Sequence, residues 1–369
     1  MMLHPGRNSV LAAIGLMSGT SLDGIDAAML TTDGERVFEH GPAATYPYPE
    51  KFRERLRALL GREPDPSWRS VIEELTDRHA DAVARLLDSA GVPASAIDVV
   101  GFHGQTVWHR PRHRRTLQIG DGARLATDTG IFVVDDFRTA DMDAGGEGAP
   151  LAPLYHAALA GALQKPIAVL NIGGVGNLTW VGDSEAGPNV LAFDTGPGNA
   201  LLDDWMLART GRSCDEDGRL AATGHVDASR VLGWLRHDYF RCMPPKSLDR
   251  DAFRFALDAV ADFSPADGAA TLAAFSARAI ASALPQLPAA PRRWLVCGGG
   301  RRNPIMMEMI RAGVGAPVEP VEAVGWRGDF LEAEAFAYLA VRSLRGLPLT
   351  LPTTTGAPRP LTGGRLHSP

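Results

Sequence analysis

The sequence predicts an α/β protein of two related lobes, each a sheet with helices packed on it, set about a central cleft. Three observations point there. The chain has 369 residues, beyond the size at which one core stops growing. Apolar runs of strand length alternate with segments of helical spacing along its whole length. Polar glycine-rich turns around Gly19, Gly173 and Gly298 each follow an apolar strand, and α/β folds gather ligands at such strand ends.

Taken in order, Val10 to Met17 and Ile25 to Thr31 read as strands joined in a hairpin. In the loop between them Gly19 and Gly24 permit positive φ and close backbone approach. Ser18, Thr20 and Ser21 offer hydroxyls, and Asp23 and Asp26 carboxylates. That composition suits a grip on polyphosphate and metal, or an ordinary polar hairpin turn. Helical spacing follows over 49–60 and 67–90, the second ended by Gly91 and Pro93. Ile97 to Phe102 is a short buried strand ending at His103, Gly104, Gln105 and Thr106. Ile131 to Asp136 is β-branched, and the glycine-rich 145–150 reads as a domain junction before a small-residue helix over 151–163.

Ala168 to Ile172 and Leu178 to Val181 form a second strand pair about NIGGVGN, so the opening arrangement recurs. After a strand over 191–194, Asn199 fits the N-cap of a helix from Ala200 to Thr210, with Gly211 past its end. Trp294 to Cys297 is a strand, Gly298 to Gly300 its loop, and Asn303 with Pro304 the start of a helix. A last helix starts near Asp329, which has capping-box spacing with Glu332, and its alanine-rich 333–340 offers a face on which two lobes slide or hinge. Beyond Pro348 an extended tail is expected. The lobes read as 1–133 with 342–369, and 134–341.

Hydrophobic residues make up 45% of the chain, ample for two cores. A formal charge of -6 argues against a nucleic-acid or anionic-membrane surface. The basic stretch from His109 to Arg115 is a local exception that reads as a solvated loop. Cys214, Cys242 and Cys297 are scattered without metal-ligand spacing, which suits a reducing compartment. The apolar run near the N-terminus is too short to span a membrane and lacks a cleavage site, so a soluble, cytoplasmic protein is expected.

The chain has no G-x-x-x-x-G-K-[ST] and no G-x-G-x-x-G, and neither Ser18 nor Ser21 sits in G-x-S-x-G. What remains is a pair of polar glycine hairpins suited to a triphosphate and a third glycine loop suited to a base or ribose.

MSGTSLDGID, GFHGQTVWH, TLQIGD, DFR with GGEGAPL, NIGGVGNLT, FDTGPGNALLDDW, CGGGRRNP and LEAEAFAYLA stand in an order that resembles the anhydro-N-acetylmuramic acid kinases. These belong to the actin, sugar kinase and Hsp70-like superfamily, and the resemblance spans residues 10 to 357. It implies a two-lobed actin-like ATPase fold. It also implies an ATP-dependent, Mg²⁺-assisted kinase that opens a 1,6-anhydro amino sugar from the cell wall with water and yields its 6-phosphate, and a homodimer. By the same resemblance Gly19, Thr20, Ser21, Leu22, Asp23, Gly24, Ile25 and Asp26 form the ATP loop, with Asp23 and Asp26 near phosphates and metal. Asn171, Gly173, Gly174 and Asn177 form the second phosphate loop, and Gly298, Gly299, Gly300 and Asn303 face the adenosine. Asp194 is the general base, and His103, Gln105, Arg138 and Glu332 belong to the sugar pocket.

The chemistry agrees: opening an anhydro ring needs a carboxylate to take the proton of water as the sugar oxygen departs. Each residue also has a plainer reading. Asp194 fits a turn aspartate and His103 a structural donor, Arg138 an ion pair with Asp135 or Asp141, and Glu332 a helix N-terminal residue. Phe102, Glu147, Leu248, Asp249, Trp326 and Arg327 depart from the family pattern and bear on the sugar pocket. They keep open a plain kinase of another amino sugar, beside the more remote reading of a nucleotide-controlled binding protein.

Overall fold

The computed structural model describes residues 9–19, 21–184 and 187–369, with Arg112 described in its backbone only; Thr20 of the first loop lies outside them. The chain divides into two units. One takes in the chain up to Gly161 and from Phe330 onward; the other is Ala162–Asp329.

In the first unit β1 (Leu11–Ser18) and β2 (Gly24–Thr32) form the expected hairpin, with Met17 opposite Asp26 at its mouth. Strand β3 (Val37–Pro47) extends it antiparallel. Helix α1 (Glu50–Arg57) and the long α2 (Arg69–Ala90) follow, α2 ending where Gly91 turns left-handed. Strand β4 (Val99–Arg110) lies parallel to β1 and runs far past the expected end at Phe102, because its outer half pairs with β5 (Arg115–Ile119). His103 and Gln105 therefore sit within a strand, not at its tip. The basic stretch is correspondingly the end of this hairpin and not a free loop: Arg110 and Arg115 both stack on Trp108 and both pair with Glu63. Next come α3 (Gly122–Thr129), β6 (Val133–Asp135) parallel to β4, α4 (Thr139–Asp143) and α5 (Pro153–Leu159).

The second unit repeats the plan. An antiparallel meander of β7 (Ile167–Ile172), β8 (Val175–Gly182) and β9 (Asn189–Pro197) leads into α6 (Ala200–Thr210). Two short helices, α7 (Ala228–Trp234) and α8 (Phe255–Ala259), precede the buried α9 (Pro265–Ala281). Strand β10 (Trp294–Cys297) lies parallel to β7, and α10 (Pro304–Val314) leads to β11 (Val318–Pro320), parallel to β10. The strand orders β3-β2-β1-β4-β6 and β9-β8-β7-β10-β11 are one topology used twice.

The chain then returns to the first unit as α11 (Leu331–Leu344), α12 (Pro352–Thr355) and β12 (Arg365–His367), which pairs with β6. The tail is thus a sheet strand, not merely an extended segment. Helix α11 lies on β1, β2 and β4. Gly15 and Gly101 are register partners there, and a Cβ on either would overlap the backbone of Ala333 or Phe336. The alanine-rich face expected to be a sliding surface is therefore closely packed on its own sheet. The expected boundaries at 133/134 and 341/342 would cut β6 and α11; pairing and packing keep both elements whole in the first unit. Asp329 likewise does not cap α11: the N-cap position is Phe330, and Asp329 is ion-paired to Arg301 and Arg302.

Separate cores fill the units, one led by Phe52, Leu75, Leu86 and Phe102, the other by Phe193, Phe253, Phe275 and Trp294. Among the described residues no helix is long and apolar enough to cross a membrane.

Candidate active site

The first loop is held from below. Buried Ser18 donates to Gln105 Oε1 (2.6 Å) and accepts from Tyr48 Oη (2.9 Å), while Gln105 Nε2 donates to the carbonyls of Gly19 (3.3 Å) and Thr106 (3.2 Å). Gln105, expected in the sugar pocket, is placed as a prop for this loop. Leu22 adopts φ +58, costly for a branched residue, yet its side chain is buried in the core and its carbonyl accepts from Arg53 Nε (2.9 Å). Ile25 is core. Gly24 is explained by the sheet, since a Cβ there would overlap the backbone of Tyr46 and Pro47. Among the described residues, a Cβ on Gly19 would meet Ser21 Oγ alone, at an ordinary 3.5 Å. The two aspartates differ: Asp23 is exposed and accepts from Ser21 Oγ (2.6 Å), whereas Asp26 is half-buried on β2 and accepts from Thr45 Oγ1 (2.5 Å).

Beside this loop, His103 and Arg138 form one assembly. Burial holds the His103 imidazole well below its ordinary pKa, so it is neutral; Nδ1 donates to the Gly104 carbonyl (2.9 Å) and Nε2 accepts from Arg138 Nη2 (3.0 Å) and Nε (3.3 Å). Arg138 Nη1 donates to the Gly148 carbonyl (2.7 Å). Burial brings this guanidinium down to about 10, opposed by the charges of Glu332 and Asp141, so it stays cationic at neutral pH. Both groups that it touches are uncharged acceptors. The ion pairs considered from sequence do not form: Asp135 binds Arg365 and His367, and Asp141 accepts from Gly148 N. Among the described residues three of the five guanidinium N–H groups are engaged; His103 takes the Nε/Nη2 edge, and one N–H is left on each terminal nitrogen, a pair that can meet a carboxylate end-on. Glu332 is exposed in the first turn of α11, near enough to act on Arg138.

In the second unit Asp194 lies half-buried on β9, not in the loop after it. Asn177, its register partner on β8, donates to Oδ1 (2.8 Å), and Leu248 N donates to Oδ2 (2.8 Å). Its own backbone is gripped by Lys246 O (2.9 Å) and Tyr239 Oη (2.5 Å). Asn177 is thus an orienting partner of Asp194 more than a member of the turn. Lys246, drawn down to about 8 by burial, stands beside Tyr239 and Phe193. Sequence reasoning missed Tyr239 and Lys246, and it noted Leu248 only for its side chain, not for the backbone N–H that reaches Asp194. The departure at Leu248 leaves this contact intact, because the backbone makes it.

The turn at Gly173 and Gly174 offers its carbonyls to the start of α6, accepting from Asn199 N (2.7 Å) and Gly198 N (2.9 Å). Asn199 does not cap with its side chain; Nδ2 donates to Ile172 O (3.1 Å). Gly298 takes φ +73, and a Cβ there would overlap Asn171 Oδ1, so the ends of the paired strands β7 and β10 meet closely. Gly300 is buried against Ile172, and Asn303 caps α10 by accepting from Met306 N (3.0 Å). Between Gly299, α6 and the 212–217 segment lies a cavity of about 820 Å³, lined by Asp203, Arg212, Asp215, Arg302 and Asn303 among others. Burial and the neighbouring Asp204 raise Asp203 to about 7, with Arg250 opposing.

The repeated strand order and the polar glycine turn in the first hairpin of each unit follow the plan of the actin-like, sugar-kinase fold, and the cavity has room for a nucleotide. The family model described as anhydro-N-acetylmuramic acid kinase matches residues 11–368, and the chain belongs to that family. Relatives bearing that name include those of Rhodospirillum rubrum, 59% identical over 95% of this chain and 93% of the relative, and Paramagnetospirillum magneticum, 57% identical over 97% and 100%. The relative from Acidiphilium cryptum is 57% identical over 97% of this chain and 98% of its own. The chain is accordingly a kinase with an alcohol acceptor, of a family that works in peptidoglycan recycling.

Proposed function

We propose that this chain adds water across the 1,6-anhydro bond of 1,6-anhydro-N-acetylmuramic acid and phosphorylates the released O6 from ATP, giving N-acetylmuramic acid 6-phosphate and ADP. Asp194 takes one proton from water as its oxygen bonds to C1; the C1–O6 bond breaks with its electrons on O6, and O6 attacks the γ-phosphorus as ADP leaves. The observation that carries this assignment is the orientation of Asp194, fixed by Asn177 Nδ2 and Leu248 N at 2.8 Å each. A carboxylate so held meets the demand for a base within reach of a positioned water.

On the sugar side, the Arg138 guanidinium receives the lactyl carboxylate and His103 and Glu332 complete the pocket. Support comes from the uncharged partners of Arg138, which leave its charge uncompensated by direct contact. The loop from Gly19 to Asp26 and the turn at Asn171, Gly173 and Gly174 hold phosphates, and the cavity beside Gly298, Gly299 and Gly300 takes the nucleoside. Mg²⁺ fits a single outward carboxylate: Asp23 is exposed, and among the described residues no group of three His, Cys, Asp or Glu forms a protein cage. When bound, the ion offsets charge on the β- and γ-phosphates. The free thiols of Cys214, Cys242 and Cys297 support a cytoplasmic setting, and a homodimer follows the family resemblance.

Mass spectrometry of the product made from ATP, Mg²⁺ and the anhydro sugar should show a gain of phosphate plus one water. Phosphate without water would remove the hydrolytic half. Asp194→Asn should retain both ligands and lose about 10²- to 10⁴-fold in kcat; a wild-type rate would remove Asp194 as the base.

A further inference from the structure

Helix α4 carries Asp141, which is almost fully buried and takes no part in the chemistry above. Its Oδ2 accepts from Gly148 N (2.7 Å), and its Oδ1 accepts from Thr350 Oγ1 (2.5 Å) and Thr355 Oγ1 (2.7 Å). Both threonines are buried and belong to the C-terminal segment around α12. The same segment takes hold of the loop a second time, Glu147 N donating to Thr355 O (2.7 Å). Gly148 in turn presents its carbonyl to Arg138, and Arg138 holds His103. The loop between is shaped to this carboxylate: a Cβ on Gly146 would overlap it, and Gly148 itself takes φ +68.

We infer that Asp141 is a positioning residue for the sugar's carboxylate, which clamps the 145–150 loop to Thr350 and Thr355 so that the Gly148 carbonyl fixes the guanidinium of Arg138. This rests on the reading that Arg138 receives that carboxylate. A buried carboxylate with three donors is suited to the task, since charge-assisted bonds are short and strong and their geometry sets the loop. An amide cannot replace it fully. In Asp141→Asn the charge is lost, and whichever way the amide turns one side changes: with its oxygen on the threonines the NH₂ meets the Gly148 N–H, and with its oxygen on Gly148 N both threonine hydroxyls must reverse from donors to acceptors. The tail that closes the first sheet thereby becomes part of substrate discrimination, although it touches neither ligand in this account.

The test compares kcat/KM for 1,6-anhydro-N-acetylmuramic acid with that for 1,6-anhydro-N-acetylglucosamine, which lacks the lactyl carboxylate, in the full chain. Arg138→Ala should collapse the preference for the carboxylate sugar. Asp141→Asn and the double variant Thr350→Val/Thr355→Val should each reduce that preference by about tenfold or more, raising KM for the carboxylate sugar and leaving KM for ATP unchanged. Thr350→Ser/Thr355→Ser, which keeps both hydroxyls, should behave as wild type. A purely structural Asp141 would lower kcat for both sugars alike and leave their ratio unmoved. That result, with Arg138→Ala still collapsing the ratio, overturns this inference alone; an unchanged ratio in Arg138→Ala overturns the reading beneath it as well. Should Asp141→Asn fail to fold, the threonine pair carries the same comparison.

Discussion

Asn177 and Asp194 face each other across β8 and β9, and that pairing decides what each residue does. Asn177→Ala removes a hydrogen bond to a charged group, worth about 1.5–3 kcal/mol, so kcat should fall about 10- to 100-fold with KM for ATP little changed in steady-state assays. An unchanged kcat would show that Asp194 is oriented without it. Asp203 makes a different prediction. Its folded pKa of about 7 stands above the ordinary 3.8, so between those values the folded state keeps a proton that the unfolded chain has lost. The buried carboxyl therefore weighs little near pH 4, destabilises increasingly as pH rises through about 7, and costs a constant amount above that. Asp203→Asn should melt with the wild type near pH 4 and above it at pH 8; a gap independent of pH would contradict the raised pKa. Residue identity made Asp194 readable through its motif, but the partners were hidden. Asn177 looks like a turn residue until strand register sets it against Asp194, and Lys246 and Leu248 reach the site from a segment with no strand or helix signal of its own.

At the scale of elements, hairpins and caps were readable because their causes are local. The β1–β2 and β7–β8 hairpins, Gly91 and Gly211 as left-handed helix ends, and Asn303 as a cap all follow from residues a few positions apart. Distant pairing was not readable. Strand β4 outran its apolar core because β5 gives its polar half a partner, and Asn199, at the expected N-cap position, spends its side chain on Ile172 O and not on the cap. Gly15 and Gly101 show the same limit: in sequence they are unremarkable glycines in strands, yet together they admit α11 onto the sheet. Gly101→Val should force helix and sheet apart and cost about 3 kcal/mol in denaturant unfolding. A loss under about 0.5 kcal/mol would mean that the close approach contributes nothing.

Across the whole molecule, duplication was legible because the polar glycine turn recurs after strands in both halves. The tail's return to the first lobe was legible too, but the exact boundary was not, since β6 and α11 are held in the first unit by pairing with β4 and packing on β1, β2 and β4. Ending the chain at Gly364 would remove β12, strip Asp135 of Arg365 and His367 and bare the β6 edge. Thermal melting should shift down by several degrees, as expected for a loss of about 1–2 kcal/mol; an unaltered melt would make the strand incidental. The family assignment rests on the full length of the chain, whereas the coupling of water addition to phosphoryl transfer rests on one carboxylate. Turnover in heavy-oxygen water tests that coupling most directly. Water addition assisted by Asp194 places one heavy oxygen at C1 of the 6-phosphate and none in the phosphoryl group, and Asp194→Asn loses the product; a phosphorylated sugar that retains its anhydro bond, or heavy oxygen in the phosphate, would refute the coupling.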